Sequence, residues 1–325
     1  MKAQSWRVVF VAVALASLSA ALLVKWRFDD DMRVVRDRIG AASQVIRTAH
    51  GDIEFTTWGT GPPVLVVHGA GGGYDQGNLI AKAMGGEGFR WIIPSRFGYL
   101  RSSLPADAST AAQAAAFAEL LDALQISRVG VLAMSGGVPP SLQFAQAYPA
   151  RVSALVLLSS APFTPLTAAA QKLPVPAWAY NMLFSSDFPY WVLQKRAPST
   201  LATIFDVSPA MQAQLTSKES GFVAAMIGSF QPVTQRVDGI RNEGSAIDPN
   251  ARYRLEAIAQ PTLVIHARDD GINPFAFGEY AAHTIRGATF MPLHNGGHLL
   301  LGHHAEVQTS VNAFLHTHGV AAPPA

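Results

Sequence analysis

Ser135 stands at the end of an apolar run, Val129 to Met134, and just before Gly136 and Gly137. A helical pattern from Ser141 to Tyr148 follows. Strand, sharp turn and helix in that order force a serine into a strained backbone conformation and hold its hydroxyl clear at the tip of a sheet. The small residues Ala133, Gly136 and Gly137 let the helix start pack closely against the strand. Such a hydroxyl can attack a carbonyl if a histidine takes its proton and an acid orients that histidine. Both residue types occur downstream. The apolar run Pro261 to His266 leads into Ala267-Arg268-Asp269-Asp270, and the short run Thr289 to Leu293 leads into His294-Asn295-Gly296-Gly297-His298. Of the ten histidines, His298 is singled out by its double-glycine approach and the apolar Leu299-Leu300-Leu301 behind it. His303 and His304 read as solvated residues at a helix start, and their adjacency lacks the i, i+4 spacing of a helical metal site. Acyl transfer also needs backbone N–H groups aimed at the developing oxyanion, and the residue after the serine, Gly136, is one natural donor.

Five segments in order resemble the α/β-hydrolase superfamily, in its serine-nucleophile, cap-containing branch. They are Val64-Leu65-Val66-Val67-His68-Gly69, Pro94 to Ser102, the serine turn, Asp270 to Pro274, and Gly296-Gly297-His298. The resemblance implies the order nucleophile, acid, base as Ser135, Asp270, His298. It favours Asp270 over Asp269, because the acid of the pattern lies four residues before the proline, here Pro274. It implies Ala70 N–H, with Gly71 second, as the other oxyanion donor, from the loop His68 to Gly73, where His68 is expected to brace the loop. It also implies a helical cap inserted before the acid strand. The chain departs from the pattern at Ala133, Ser95, Leu100 and Ala267, where glycine, aspartate, glycine and glycine are common. A serine at position 135 argues against the aspartate-nucleophile dehalogenases and epoxide hydrolases of the superfamily.

The elements that must position these residues alternate. Strands are predicted at Val64–Val67, Trp91–Pro94, Val129–Met134, Val152–Leu158, Leu263–His266 and Thr289–Leu293, with a helix from Thr110 to Leu124. Val45 to Thr48 and Ile53 to Trp58 flank a hairpin turn at residues 49–52. The fold class is therefore α/β, with a mostly parallel central sheet covered by helices on both faces. All candidate residues fall at strand carboxyl ends, where ligands sit in such sheets. The core is expected over 43–161 and 248–318. Residues 162–247 break the alternation and carry many aromatics, among them Trp178, Tyr180, Phe184, Phe205 and Phe230. This is the expected cap, and its aromatics favour an apolar substrate. Residues 319–325 read as a tail.

Lys+Arg 24 against Asp+Glu 22 gives a net charge of +2, which argues against nucleic-acid binding. The absence of cysteine excludes disulfides, cysteine-based zinc sites and thiol catalysis. No metal or cofactor is expected. Residues 1–27 hold a 17-residue apolar run, Val8 to Val24, behind Lys2 and Arg7. That length suits a membrane anchor of about 17–25 residues better than a signal core of about 7–15. A cleaved signal leading to secretion or the periplasm is the alternative, and the basic residues on both sides leave the orientation open. Residues 28–42 read as a linker. The expected activity is hydrolysis of a carboxylic ester or related acyl bond of a small substrate. Carbon–carbon bond hydrolysis of the ring-cleavage-product type and a non-catalytic ligand-binding role are the alternatives.

Overall fold

Valine, leucine and isoleucine dominate the short runs that end in the candidate residues, and these runs form one eight-stranded sheet in the computed structural model. The structure describes residues 2–161, 178, 182–246 and 253–319. The chain divides into two compact units, Met1–Ala42 and Ser43–Ala325.

The first unit is a single helix, α1 (Lys2–Ala41). Its stretch from Val9 is long and apolar enough to cross a membrane by length and composition. Residues 28–42, expected as a linker, are helical through Ala41. Arg, Asp and Val sustain the helix there, with Lys25–Asp29 and Arg33–Asp30 ion pairs one turn apart along it.

The second unit is built on β1 (Gln44–Thr48), β2 (Gly51–Trp58), β3 (Pro63–Val67), β4 (Arg90–Pro94), β5 (Val129–Met134), β6 (Val152–Leu158), β7 (Thr262–Ala267) and β8 (Thr289–Leu293). Their spatial order is β1-β2-β4-β3-β5-β6-β7-β8. β1, β2 and β4 pair antiparallel, and every other pairing is parallel. β5, β6 and β7 are buried at every position, as strands covered on both faces must be. The hairpin turn is tighter than expected. Gly51 and Asp52 already pair with Thr48 and Arg47, because Gly51 takes φ +105° without a Cβ penalty.

Around the sheet lie α2 (Tyr74–Ile80), α3 (Thr110–Ala123), α4 (Val138–Ala147), α10 (Phe275–Thr284) and α11 (His304–His318). The Ser109 side chain caps α3 by accepting from Ala112 N–H. α4 begins three residues earlier than its apolar pattern suggests. Pro139 and Pro140 occupy the first turn, where a missing N–H costs nothing. On one face of the sheet the core centres on Leu65, Ile92, Phe117, Val131, Phe144 and Leu157.

Between β6 and β7 the described residues form α5 (Asp187–Arg196), α6 (Pro198–Ile204), α7 (Pro209–Gln212), α8 (Ser217–Gly228) and α9 (Val237–Ala246). Thr216 and Glu219 make a reciprocal capping box at the start of α8. Much of 162–181, including Tyr180, together with 247 and the tail beyond Gly319, lies outside the described residues.

Candidate active site

The turn after β5 carries the strain its sequence implies: Ser135 has φ +53°, in the left-handed region. Its neighbours are small for identifiable reasons. A Cβ on Gly137 would stand 2.3 Å from the Val67 carbonyl oxygen. One on Gly136 would stand 2.4 Å from Glu243 Oε2 and 3.3 Å from Ala70 N. The oxyanion-loop candidate Ala70 therefore does converge on the serine turn. Gly71 does not compete for the role, since its N–H donates to the Tyr99 hydroxyl at 3.2 Å. Among the described residues, Ala70 N–H has no hydrogen-bond acceptor.

The loops after β7 and β8 bring acid and base together. His298 Nδ1 lies 3.0 Å from Asp270 Oδ2 and 3.1 Å from Oδ1. Asp270 also accepts the N–H groups of Ile272 at 2.9 Å and Asn273 at 2.8 Å, and His266 Nε2 lies 3.1 Å from its Oδ2. Burial, the largest influence on this carboxyl, would raise its pKa. The His298 charge and the hydrogen bonds from His266, His298 and Asn273 outweigh it and hold Asp270 well below the usual carboxylate range. Asp269 does different work. Its carboxylate accepts Gly297 N–H at 2.9 Å and Gly296 N–H at 3.3 Å, bracing the loop that leads to the histidine.

Ser135 and His298 line one cavity of about 100 Å³. Its walls are mostly apolar: Ile204, Phe205, Met226 and Phe230 come from the insertion, and Met134, Ile272 and Leu299 from the core. Among the described residues no hydrogen bond joins the Ser135 hydroxyl to the His298 ring, and the hydroxyl's polar neighbour is Asn273 Nδ2 at 3.5 Å. A contact of that length is weak, and such bonds commonly tighten only when substrate is bound.

His68 is a brace. Its Nδ1–H donates to the Gly69 carbonyl at 2.7 Å and its Nε2 accepts Arg96 N–H at 2.9 Å. Burial, then the nearby Arg96 charge, pushes its pKa well below the ordinary imidazole value, so it stays neutral. His304, expected to be solvated, is buried. Its Nε2 reaches the Leu299 carbonyl at 2.9 Å, and its ring meets Phe222 edge-on.

Three residues of the insertion that sequence reasoning passed over touch this machinery. Asp206, at φ +64°, accepts the N–H groups of Gly271 at 2.8 Å and His298 at 2.9 Å. Arg236, fully buried, pairs with Asp75 at 2.7 Å and donates to the Gly72 carbonyl at 2.6 Å, clamping the glycine loop. Glu243 pairs with Arg96 and accepts the Tyr99 hydroxyl at 2.7 Å. Nothing in the local sequence marks Arg236 or Glu243. A left-handed aspartate before Val207-Ser208-Pro209 is at most a turn signal.

The sequence profile of the alpha/beta hydrolase fold family matches residues 62–305. The uncharacterized hydrolase YcgS of Bacillus subtilis (strain 168) is 30% identical over 267 residues, covering 77% of this chain and 89% of that protein. The 2-hydroxy-6-oxononadienedioate/2-hydroxy-6-oxononatrienedioate hydrolase of Paraburkholderia xenovorans (strain LB400) is 26% identical over 282 residues, covering 82% and 92%. A solved alpha/beta hydrolase fold protein from Nakamurella multipartita superposes with a TM-score of 0.71 at 28% identity, covering 84% of this chain and 99% of that one. On the strained serine turn, the parallel sheet and these matches, the chain belongs to the α/β-hydrolase family.

Proposed function

We propose that this chain is a serine hydrolase that cleaves a carboxylic ester or related acyl bond of a small substrate through an acyl-enzyme. The observation that carries the reading is the 3.0 Å pair between His298 Nδ1 and Asp270 Oδ2, with His298 lining the same cavity as Ser135. In this reading His298 Nε2 takes the hydroxyl proton as Ser135 Oγ bonds to the carbonyl carbon. Asp270 holds the Nδ1–H and stabilises the imidazolium. The alcohol leaves with the proton from His298. Water, deprotonated by His298, then releases the acid and restores the serine. Ala70 and Gly136 N–H groups hold the oxyanion, each worth about 2.7–4 kcal/mol of barrier.

In the same reading the insertion, 162–247, is the cap. Its support is the four apolar side chains that it contributes to the cavity wall. A cavity near 100 Å³ is smaller than the roughly 150 Å³ space that admits benzene, which favours a short apolar group there. The helix α1 is the membrane anchor. Fractionation with mass spectrometry of the N-terminus tests this, and a mature chain that begins after Val24 would instead make it a removed signal.

A fluorophosphonate probe tests the central reading. It is expected to label Ser135, to fail on Ser135→Ala and to react weakly with His298→Ala. A folded protein left unlabelled would overturn the acyl-enzyme. Carbon–carbon bond hydrolysis is the second reading, favoured by the likeness to the Paraburkholderia hydrolase. Turnover of a vinylogous 1,5-diketone but of no p-nitrophenyl ester would select it.

A further inference from the structure

A second cavity, of about 50 Å³, meets the serine turn at Gly136. Its lining sets the polar side chains of Arg96, Tyr99, Gln113, Asn242 and Glu243 beside the apolar ones of Phe97, Pro139 and Pro140. Arg96 is the centre of this chamber. Its side chain is 9% exposed, and its Nε has no hydrogen-bond partner among the described residues. Guanidinium nitrogens only donate, so this buried donor lacks an acceptor. Its terminal nitrogen is neutralised by Glu243 on α9.

Glu243 faces both Arg96 and the serine turn. Oε1 takes Arg96 and the Tyr99 hydroxyl, and burial keeps that phenol protonated. Oε2 lies against Gly136, the proposed oxyanion donor, close enough to clash with any Cβ there. A carboxylate in that position opposes the negative charge that acyl transfer develops. A substrate lying across Gly136 must displace it. If a neutral substrate does so, Arg96 is left buried without a counter-charge, which is strongly unfavourable. If the substrate brings its own carboxylate, the pair is restored in the same donor set.

We propose that the Arg96–Tyr99 chamber is a carboxylate subsite, and that Glu243 occupies it in the free protein as a stand-in that the substrate's carboxylate replaces. The substrate then carries an apolar end for the His298 cavity and an anionic end for Arg96, with the scissile carbonyl at Ser135 between them. This inference rests on the serine-hydrolase reading for its chemistry, though not for its binding.

The test uses two matched pairs, because the carboxylate can lie on either side of the scissile bond. One is propyl hydrogen glutarate against methyl propyl glutarate, read by release of propanol. The other is 3-carboxypropyl butyrate against its methyl ester. The native protein is expected to prefer the anion in at least one pair by about tenfold or more in kcat/KM, a modest fraction of what a buried charge pair can supply. Arg96→Gln should abolish the preference. Glu243→Gln should keep it and lower the anion's KM, because the competing carboxylate is gone. The double variant Arg96→Gln/Glu243→Gln removes both buried charges and guards against a folding defect in the single ones. Equal or better turnover of the neutral member in both pairs, or a preference that survives Arg96→Gln, overturns the proposal. If no ester is turned over and Ser135 is not labelled, calorimetry of the same anions with Ser135→Ala decides the subsite alone. Binding that depends on Arg96 supports it, and no binding overturns it.

Discussion

A single oxygen of Asp206, Oδ2, accepts the backbone N–H of His298 at 2.9 Å and that of Gly271 at 2.8 Å. It thereby ties the loop after β8 to the loop after β7, from a residue that belongs to neither. The proposed base and acid are held in register by a side chain of the insertion. Asp206→Asn keeps an acceptor oxygen and should retain kcat within about threefold, whereas Asp206→Ala should cut kcat by roughly 10–100-fold, the scale of small misplacements at a reacting centre. Steady-state kinetics of the two variants on one ester checks this. Equal losses in both would refute the tie.

Asp270 predicts a signature in acid. Its folded-state pKa is depressed below the ordinary 3.8, so it adds stability that is complete above that value. That stability is lost as pH falls below about 4 toward the folded-state value, because the unfolded chain takes up the proton first. Asp270→Asn should therefore flatten the acid limb of the curve of Tm against pH. The same variant should lower kcat by about 10⁴-fold, as when the orienting acid of such a relay is lost.

Arg236 is fully buried and its partner Asp75 is partly buried. Removing one member of a buried pair leaves the other uncompensated, at a cost of about 3–5 kcal/mol. Arg236→Met should show that loss in chemical denaturation. Because the guanidinium also holds the Gly72 carbonyl, activity should fall even well below the melting temperature.

Phe230 lies directly on the glycine loop, where a Cβ on Gly71 would approach its ring to 2.1 Å. It also walls the apolar cavity. Phe230→Ala should enlarge that space and move the chain-length optimum for p-nitrophenyl esters upward. Gly71→Ala should abolish turnover at every chain length, since both the ring and φ +71° exclude it. An unchanged chain-length profile in Phe230→Ala would place the acyl group elsewhere.

Local chemistry explains which parts of this site could be read from the chain. Ser135 and His298 are announced by glycines and strand ends that leave few other conformations, and the parallel sheet follows from the alternation of apolar runs. Asp269 and Asp270 are adjacent; the family spacing to Pro274 favours Asp270 as the histidine's partner, and the loop-bracing contacts of Asp269 come from the fold. Asp206, Arg236 and Glu243 acquire their roles through docking of the insertion onto loops 60 or more positions away, and no periodicity encodes that. Residues 28–42 also take a form that their composition does not announce. Their charge reads as a solvated linker, and i, i+3 and i, i+4 pairs let such a stretch form a helix.

His68 has no room for a second proton. Its Nε2 already receives the Arg96 N–H, so an imidazolium there would set two donors face to face beside a buried guanidinium. Mild acidification will thus leave the glycine loop's shape untouched, and any loss of turnover as the medium becomes acidic must originate at another ionising group.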